Sequence, residues 1–409
     1  MNRRFRVQGI YLGRYRVGPL APFIDGFAAC LSQWQYQRET ARHKLRAVAD
    51  LSRWLARRRR GAGSLDERAI RRFFDHHHRY DSFRTGDVSA GMVMLRLLRE
   101  RGVAPPPPER IDPRHVVEKD FERFLREERR LSQASLDNSL PFVRRFLAQR
   151  FGRGPIVLKE LAASDVTEFV LQSIRTCSPS RAKLLVGALR SFFRFLLVRG
   201  EIAADLAGAV PTVADWRMST VPKGIQRGEV QRLLSSCDCR TTTGRRDYAV
   251  LLLLARLGLR AGEVAALTLD DIDWKAGEIS VRGKGPRLDS LPLPPDVGKA
   301  LVAYLHRRPQ CATRRVFLTV RAPVRELADH RSVSAIVERG LTRAGLDPPR
   351  KGAHVLRHAL ASDMLRRGAS LPEIGELLRH RRLDTTAIYA KVDLGALRAL
   401  AQPWPGGAA

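Results

Sequence analysis

Apolar residues return at three- and four-residue steps through most of this chain, the period of helices that bury one face. In the first hundred residues Phe27, Leu31 and Trp34, then Leu45, Val48, Leu51, Trp54 and Leu55, follow that period. Four consecutive prolines at 105–108 make a stiff, extended connector and mark a boundary. The helical period then resumes in four segments. Val117, Phe121, Phe124 and Leu125 form the first; Leu136, Leu140, Val143, Phe146 and Leu147 the second; residues 165–174 the third. The fourth, 182–198, puts Leu185, Leu189, Phe192, Phe193 and Leu196 on one side, a stripe that reads as core rather than as a base-stacking platform. Residues 209–228, with Pro211 and Pro222, read as a linker. Beyond it the pattern changes. Residues 246–257 are almost uniformly apolar, which predicts a helix buried on most sides and ended by Gly258; another helix starts at Glu263. Two short runs, 278–281 and 290–293, flank a glycine-containing turn at 282–287 and predict a hairpin. Helices follow at 297–305 and 333–344, a short strand at 316–318, and a last apolar helix at 394–400.

This pattern predicts a mainly α protein in three parts: a helical N-terminal region (1–104), a helical domain (112–210), and a mixed α+β domain (223–409) with a small antiparallel sheet. The first part reads as a degenerate copy of the second. Residues 45–55 lead through Ser64, Leu65 and Asp66 into a helix, much as 136–147 lead through Ala163, Ser164 and Asp165 into one. Both pair a bulky apolar stripe with a short loop and an acidic residue at the helix start.

Charge narrows the class of partner. Lys and Arg total 73 against 42 Asp and Glu, a formal net charge of +31, spread along the whole length rather than gathered in a tail. A field of that size implies a polyanion, and nucleic acid is the first candidate. The four arginines at 57–60 fit a phosphate contact and a solvated helix end equally well. Cys30, Cys177, Cys237, Cys239 and Cys311 are scattered, with no Cys-x-x-Cys or Cys/His ligand spacing, so neither a disulfide framework nor a zinc site is expected. The histidines at 76–78 are adjacent on a helix and point different ways, which favours a surface cluster over a metal site. No apolar run reaches the length of a membrane span, and the basic start is not followed by an apolar core. A cytoplasmic protein is therefore expected.

Residues 353–391 carry the densest chemistry. His354 and Arg357 lie one helical turn apart, His380 follows, and Tyr389 stands nine residues later, after Thr385 and Thr386. Cleaving a phosphodiester needs a nucleophile, cationic donors for the non-bridging oxygens, and a proton for the leaving oxygen. Arg260 sits just past the buried helix, where its charge needs either Glu263 or a ligand anion. Lys284 lies at the tip of the glycine-flanked hairpin, from which an ammonium can reach into a groove. A histidine pair suggests metal, yet Arg357 beside it would repel a cation, so anion binding is the better reading. His358, on the adjoining side of the helix, reads as a structural histidine.

Together these residues resemble the tyrosine recombinase (phage integrase) family. Its first arginine box appears at 258–273, its hairpin lysine as Arg-Gly-Lys-Gly at 282–285, and its His-x-Leu-Arg-His box at 354–358. Its final box, usually Leu-Gly-His with the tyrosine nine residues on, appears as Leu378, Arg379, His380 and Tyr389. The boxes occur in the family's order, and the helical domain at 112–210 resembles its core-binding domain. The resemblance implies a site-specific DNA recombinase serving integration, excision or transposition of a mobile element. Tyr389 would attack the scissile phosphate to give a 3′-phosphotyrosine and a free 5′-hydroxyl. Arg260 and Arg357 would hold the non-bridging oxygens with help from His380, Lys284 would protonate the leaving 5′-oxygen, and His354 would act as base toward the tyrosine. It implies no cofactor and no metal. The partners implied are double-stranded DNA and further protomers, four on two duplexes, either identical or from a related recombinase. A type IB topoisomerase-like activity and a catalytically idle DNA-binding subunit are the competing readings. Two positions depart from the family pattern: Arg379 stands where glycine is usual, and Asp289 where a basic residue is common.

Overall fold

The computed structural model describes residues 6–7, 10–77, 86–107, 112–152, 154–213, 224–283, 288–380, 383–386 and 388–389. Residues 107–219 form one compact unit, and 1–106 together with 220–409 form the other.

The N-terminal part begins with a two-stranded antiparallel ribbon, β1 (Arg6–Val7) and β2 (Ile10–Tyr11), and continues into four helices. These are α1 (Ile24–Gln33), α2 (Arg38–Arg57), α3 (Glu67–His77) and α4 (Gly86–Glu100). The predicted apolar stripe is their core: Phe27, Leu31, Leu45, Val48, Leu51 and Leu55 are buried with Phe73, Phe74 and Leu98. The four arginines at 57–60 are exposed where α2 ends, with the Arg58 guanidinium 4.6 Å from the Trp54 ring centroid. Val324 in the C-terminal part donates its N–H to the Trp34 carbonyl at 3.3 Å, so the two parts of this unit touch, although each keeps its own core.

The 107–219 unit is also four helices: α5 (Pro113–Glu127), α6 (Gln133–Phe151), α7 (Ala163–Ile174) and α8 (Pro179–Val198). Asp112 caps α5, accepting from the Arg114 N–H at 3.0 Å, with Pro113 in the first helical position, where its missing N–H costs nothing. The aromatic stripe is core, as its period predicts. Phe146 meets Phe169 and Phe193 edge to face, with centroids 5.3 and 5.4 Å apart.

The remaining helices are α9 (Arg227–Ser235), α10 (Thr242–Arg256), α11 (Ala261–Ala266), α12 (Pro295–Leu305), α13 (His330–Arg343), α14 (His354–Arg366), α15 (Leu371–Leu377) and α16 (Leu383–Thr386). Helix α10 is the centre of this part, with Ala249 through Leu254 all buried. At its start Arg246 and Asp247 form a buried ion pair at 2.6 Å, and Arg246 also donates to the Leu318 carbonyl at 3.1 Å. The sheet is β3 (Ile272–Asp273), β4 (Glu278–Arg282) and β5 (Leu288–Pro292), antiparallel in that order, with Ile279 opposite both Ile272 and Leu291. The architecture is therefore mainly α with a small antiparallel sheet.

Two expectations differ from what is seen, and one lies where nothing is described. Residues 316–318 make no strand, only the isolated bridges Thr268–Arg315 and Leu318–Glu326; Val316, Phe317 and Leu318 are fully buried as irregular chain threading the core. A continuous apolar run cannot by itself distinguish a buried strand from such a segment. Strand β3 is too short to show a period, and β5 starts two residues earlier than its alternation suggested. The expected helix at 394–400 lies outside the described residues.

Gly258 sets the path from α10 to α11. Its φ is +56°, and a Cβ there would meet Leu378 Cδ2 at 2.6 Å and Leu360 Cδ2 at 3.1 Å. Gly258→Ala should therefore cost about 1–3 kcal/mol from backbone strain and crowding together. Thermal melting of the full chain checks this; an unchanged midpoint contradicts it.

Candidate active site

The site is built around Arg357 on α14. The residue is 6% exposed, and its guanidinium donates to two backbone carbonyls, those of Gly258 and Leu378. One buried cation thus clamps two separate turns: the one that delivers Arg260 and the one that delivers Arg379 and His380. Burial, followed by the charges of Arg260 and Arg379, lowers its pKa to about 10.

Arg260 is the N-cap of α11, and the Glu263 carboxylate binds it twice, accepting from its backbone N–H at 2.8 Å and its Nη1 at 2.7 Å. Its Nη2 donates to the Arg379 carbonyl at 3.2 Å. The ion pair with Glu263 is thus real, yet the side chain remains 40% exposed, so the guanidinium keeps an open face. Lys284 falls at the hairpin turn, outside the described residues.

Tyr389 lies 1% exposed in a small apolar cluster with Ala361, Ile374 and Leu378. Its hydroxyl is 2.8 Å from His358 Nδ1, and its ring is parallel to that of His380, with centroids 6.5 Å apart. Burial pushes the phenol up to about 12, against the opposing pull of Arg357. His358 was read from sequence as structural; the fold puts it on the tyrosine hydroxyl. Its position one residue after Arg357 was the available signal, but only the three-dimensional placement of the distant Tyr389 gives it a partner. His354 opens α14, its ring 6.3 Å from that of His358. Its pKa is lowered by desolvation and then by Arg357 and Arg260. His380 Nδ1 is 2.7 Å from the Thr386 hydroxyl, which orients the ring.

Three arginines, 260, 357 and 379, converge here, and the Glu263 carboxylate pairs with two of them, Arg260 and Arg379. The local excess is cationic. Desolvation depresses both His358 and His380 to about 4, with smaller contributions from His354, Arg350 and Arg357 at His358 and from Arg357 and Arg260 at His380. Both imidazoles are neutral at pH 7, so either can accept a proton or a hydrogen bond. The arrangement suits a bound oxyanion: cationic donors beside an oxygen nucleophile that has a neutral base within hydrogen-bonding distance.

Residues 223–394 match the family model for the phage integrase family. The chain is 48% identical over 407 residues to a Sinorhizobium fredii protein named "Putative integrase/recombinase y4rA", covering 97% of each. It is 32% identical over 289 residues to tyrosine recombinase XerA of Thermococcus kodakarensis, covering 70% of this chain and 94% of that one. Its fold resembles the XerH recombinase in a post-cleavage complex with a palindromic difH substrate, with TM-score 0.54 and 20% identity over 69% of this chain and 83% of the other. It also resembles a lambda integrase dimer bound to a COC′ core site, with TM-score 0.51 and 18% identity over 71% of this chain and 97% of the other.

The histidines carry a pH dependence with a definite sign. Their folded-state pKa values of about 4 lie below the ordinary 6.5, so the unfolded chain binds protons first as pH falls. Their contribution is complete above about pH 6.5 and is lost as pH falls toward 4. A His358→Gln/His380→Gln double variant should lose less stability over that window than the parent, by about 1–3 kcal/mol per histidine. Melting temperatures at pH 7, 5.5 and 4.5 check it; parallel curves contradict it.

Proposed function

We propose a chemistry for the site just described on the premise that this chain belongs to the phage integrase family, the tyrosine recombinases. The protein is a tyrosine-type site-specific DNA recombinase. The observation that carries the residue assignment is the Tyr389 hydroxyl, held 2.8 Å from a neutral His358 beside the Arg260–Arg357 pair.

In this reading the two guanidiniums receive the non-bridging oxygens of a scissile phosphate, Arg260 through its open face and Arg357 from its clamped position, while His380 adds a donor. Tyr389 attacks phosphorus. Its proton leaves to an imidazole, with His358 bonded to the hydroxyl and His354 next along the helix face. As the new bond forms, the bond to the 5′-oxygen breaks, and Lys284 supplies that oxygen's proton. The products are a 3′-phosphotyrosine and a free 5′-hydroxyl, and attack by another strand's 5′-hydroxyl reverses the step onto new DNA. The bond energy stays in the phosphotyrosine, so no nucleotide is consumed.

As folded, the phenol holds its proton more tightly than the imidazole by on the order of 10 kcal/mol. Tyr389 is also buried. The hydroxyl is therefore unreactive until an anion enters the site. Such a site does not hydrolyse DNA at random.

Residues 107–219 fit a DNA-gripping helical module. The four helices before them repeat its order, with a short 3₁₀ turn between the second and third helix in each (Ala62–Ser64 and Leu158–Glu160). This supports reading 1–104 as a degenerate copy of 112–210 ahead of a catalytic part at 223–409. Double-stranded DNA is the substrate, and strand exchange calls for four protomers on two duplexes. No helix among the described residues is long and apolar enough to cross a membrane. The reading puts the protein in the cytoplasm, with the DNA, acting in integration, excision or transposition.

Nicked suicide duplexes cut from the DNA flanking the gene test the assignment. The parent protein should form a covalent adduct on one of them, and Tyr389→Phe should bind that duplex equally well and form none. Arg357→Ala should slow adduct formation by about 10²–10³-fold. Adduct formation by Tyr389→Phe overturns the assignment. Relaxation of supercoiled plasmid without a specific site would favour the topoisomerase-like activity instead. Affinity should also fall steeply with salt, in proportion to the phosphates contacted, and a flat log–log plot contradicts the basic-clamp picture.

A further inference from the structure

Arg379 occupies a position that disfavours any side chain. Its φ is +53°, in the left-handed region where glycine is the economical choice. The strain costs on the order of 1 kcal/mol, so an arginine here needs a compensating interaction. Its side chain is 8% exposed and spans two carboxylates. Nη2 lies 2.6 Å from Glu263 Oε2, and Nε lies 3.8 Å from Asp289 Oδ2. Glu263 belongs to α11 and also holds Arg260. Asp289 belongs to β5, in the hairpin whose turn carries Lys284. Asp289 pairs directly with Val281, which is buried, so the two share the inward face of the sheet.

We propose that Arg379 is a positioning residue that tethers the Lys284 hairpin to the phosphate-binding arginines. The two departures from the family pattern, an arginine for glycine at 379 and an acid at 289, are the two ends of one contact. At 3.8 Å the Arg379–Asp289 pair is about 1 Å longer than a charge-assisted hydrogen bond. Arg379 Nε and Nη1 are buried with no hydrogen-bond partner among the described residues. Buried donors left unmatched are costly, and the Asp289 carboxylate is the acceptor that β5 sets beside Nε. Arg282 ties the other strand to Asp271 at 3.1 Å, and Arg379 adds a contact from β5 to the Glu263 cluster. The tether acts through Lys284, and it rests on the reading of that lysine as the acid for the leaving 5′-oxygen.

The test uses the duplex that traps the parent protein, made with an ordinary scissile phosphate and with a 5′-bridging phosphorothiolate. A sulfur leaving group departs as thiolate and needs no proton, so it bypasses the acid. Arg379→Gly suits the left-handed backbone and keeps the fold. Together with Asp289→Asn it should slow cleavage of the ordinary phosphate about tenfold, and the double variant should be no slower than either single one. On the phosphorothiolate both variants should return to within about twofold of the parent, as should Lys284→Ala. Equal slowing on both substrates, or additive effects, overturns the tether. Failure of the phosphorothiolate to rescue Lys284→Ala overturns instead the reading of Lys284, since that variant does not touch the Arg379 contact.

Discussion

Two hydrogen bonds from one buried guanidinium hold this site together. Arg357 points its charge into the gap between the end of α10 and the end of α15, where the Gly258 and Leu378 carbonyls accept it. Each carbonyl lies two residues from a residue of the pocket: Arg260 follows Gly258, and His380 follows Leu378. The distance between those two groups is therefore fixed by Arg357 rather than by either turn alone. A buried cation satisfied by neutral carbonyls keeps its full charge, which is what a phosphate-binding group requires. The left-handed glycine at 258 belongs to the same constraint, because a side chain there would push Leu378 away.

The surplus of positive charge explains the behaviour of the neighbouring groups. Glu263 is the carboxylate shared between Arg260 and Arg379. The field that adds to burial in depressing His358 and His380 also awaits an anion. A phosphate entering this pocket offsets the repulsion among the arginines and restores basicity to the imidazoles, so substrate binding and activation of the base come from the same charge. In the proposed reading, recognition and catalysis are thereby linked.

Much of this was legible in the chain. Helices such as 182–198 and the buried 246–257 announce themselves through long, regular apolar periods, and the order Arg260, Lys284, His354, Arg357, His380, Tyr389 is read through the resemblance of its motifs to a known family. Short elements were not legible. Strand β3 has two residues, and 316–318 is apolar for burial rather than for pairing. His358 and Arg379 escaped for a different reason: the role of each depends on a partner 31, 90 or 116 residues away, a distance over which spacing says nothing. In the sequence Arg379 only stands where glycine is usual; the fold sets its Nε 3.8 Å from Asp289.

The account turns on Tyr389 becoming covalently joined to DNA. Mass spectrometry of the trapped complex, after exhaustive nuclease and protease digestion, reads that bond directly. The account predicts a nucleotide joined through its 3′-phosphate to the peptide containing Tyr389, with fragment ions that place the mass on the tyrosine. A nucleotide on any other residue, or one joined through a 5′-phosphate, would contradict it.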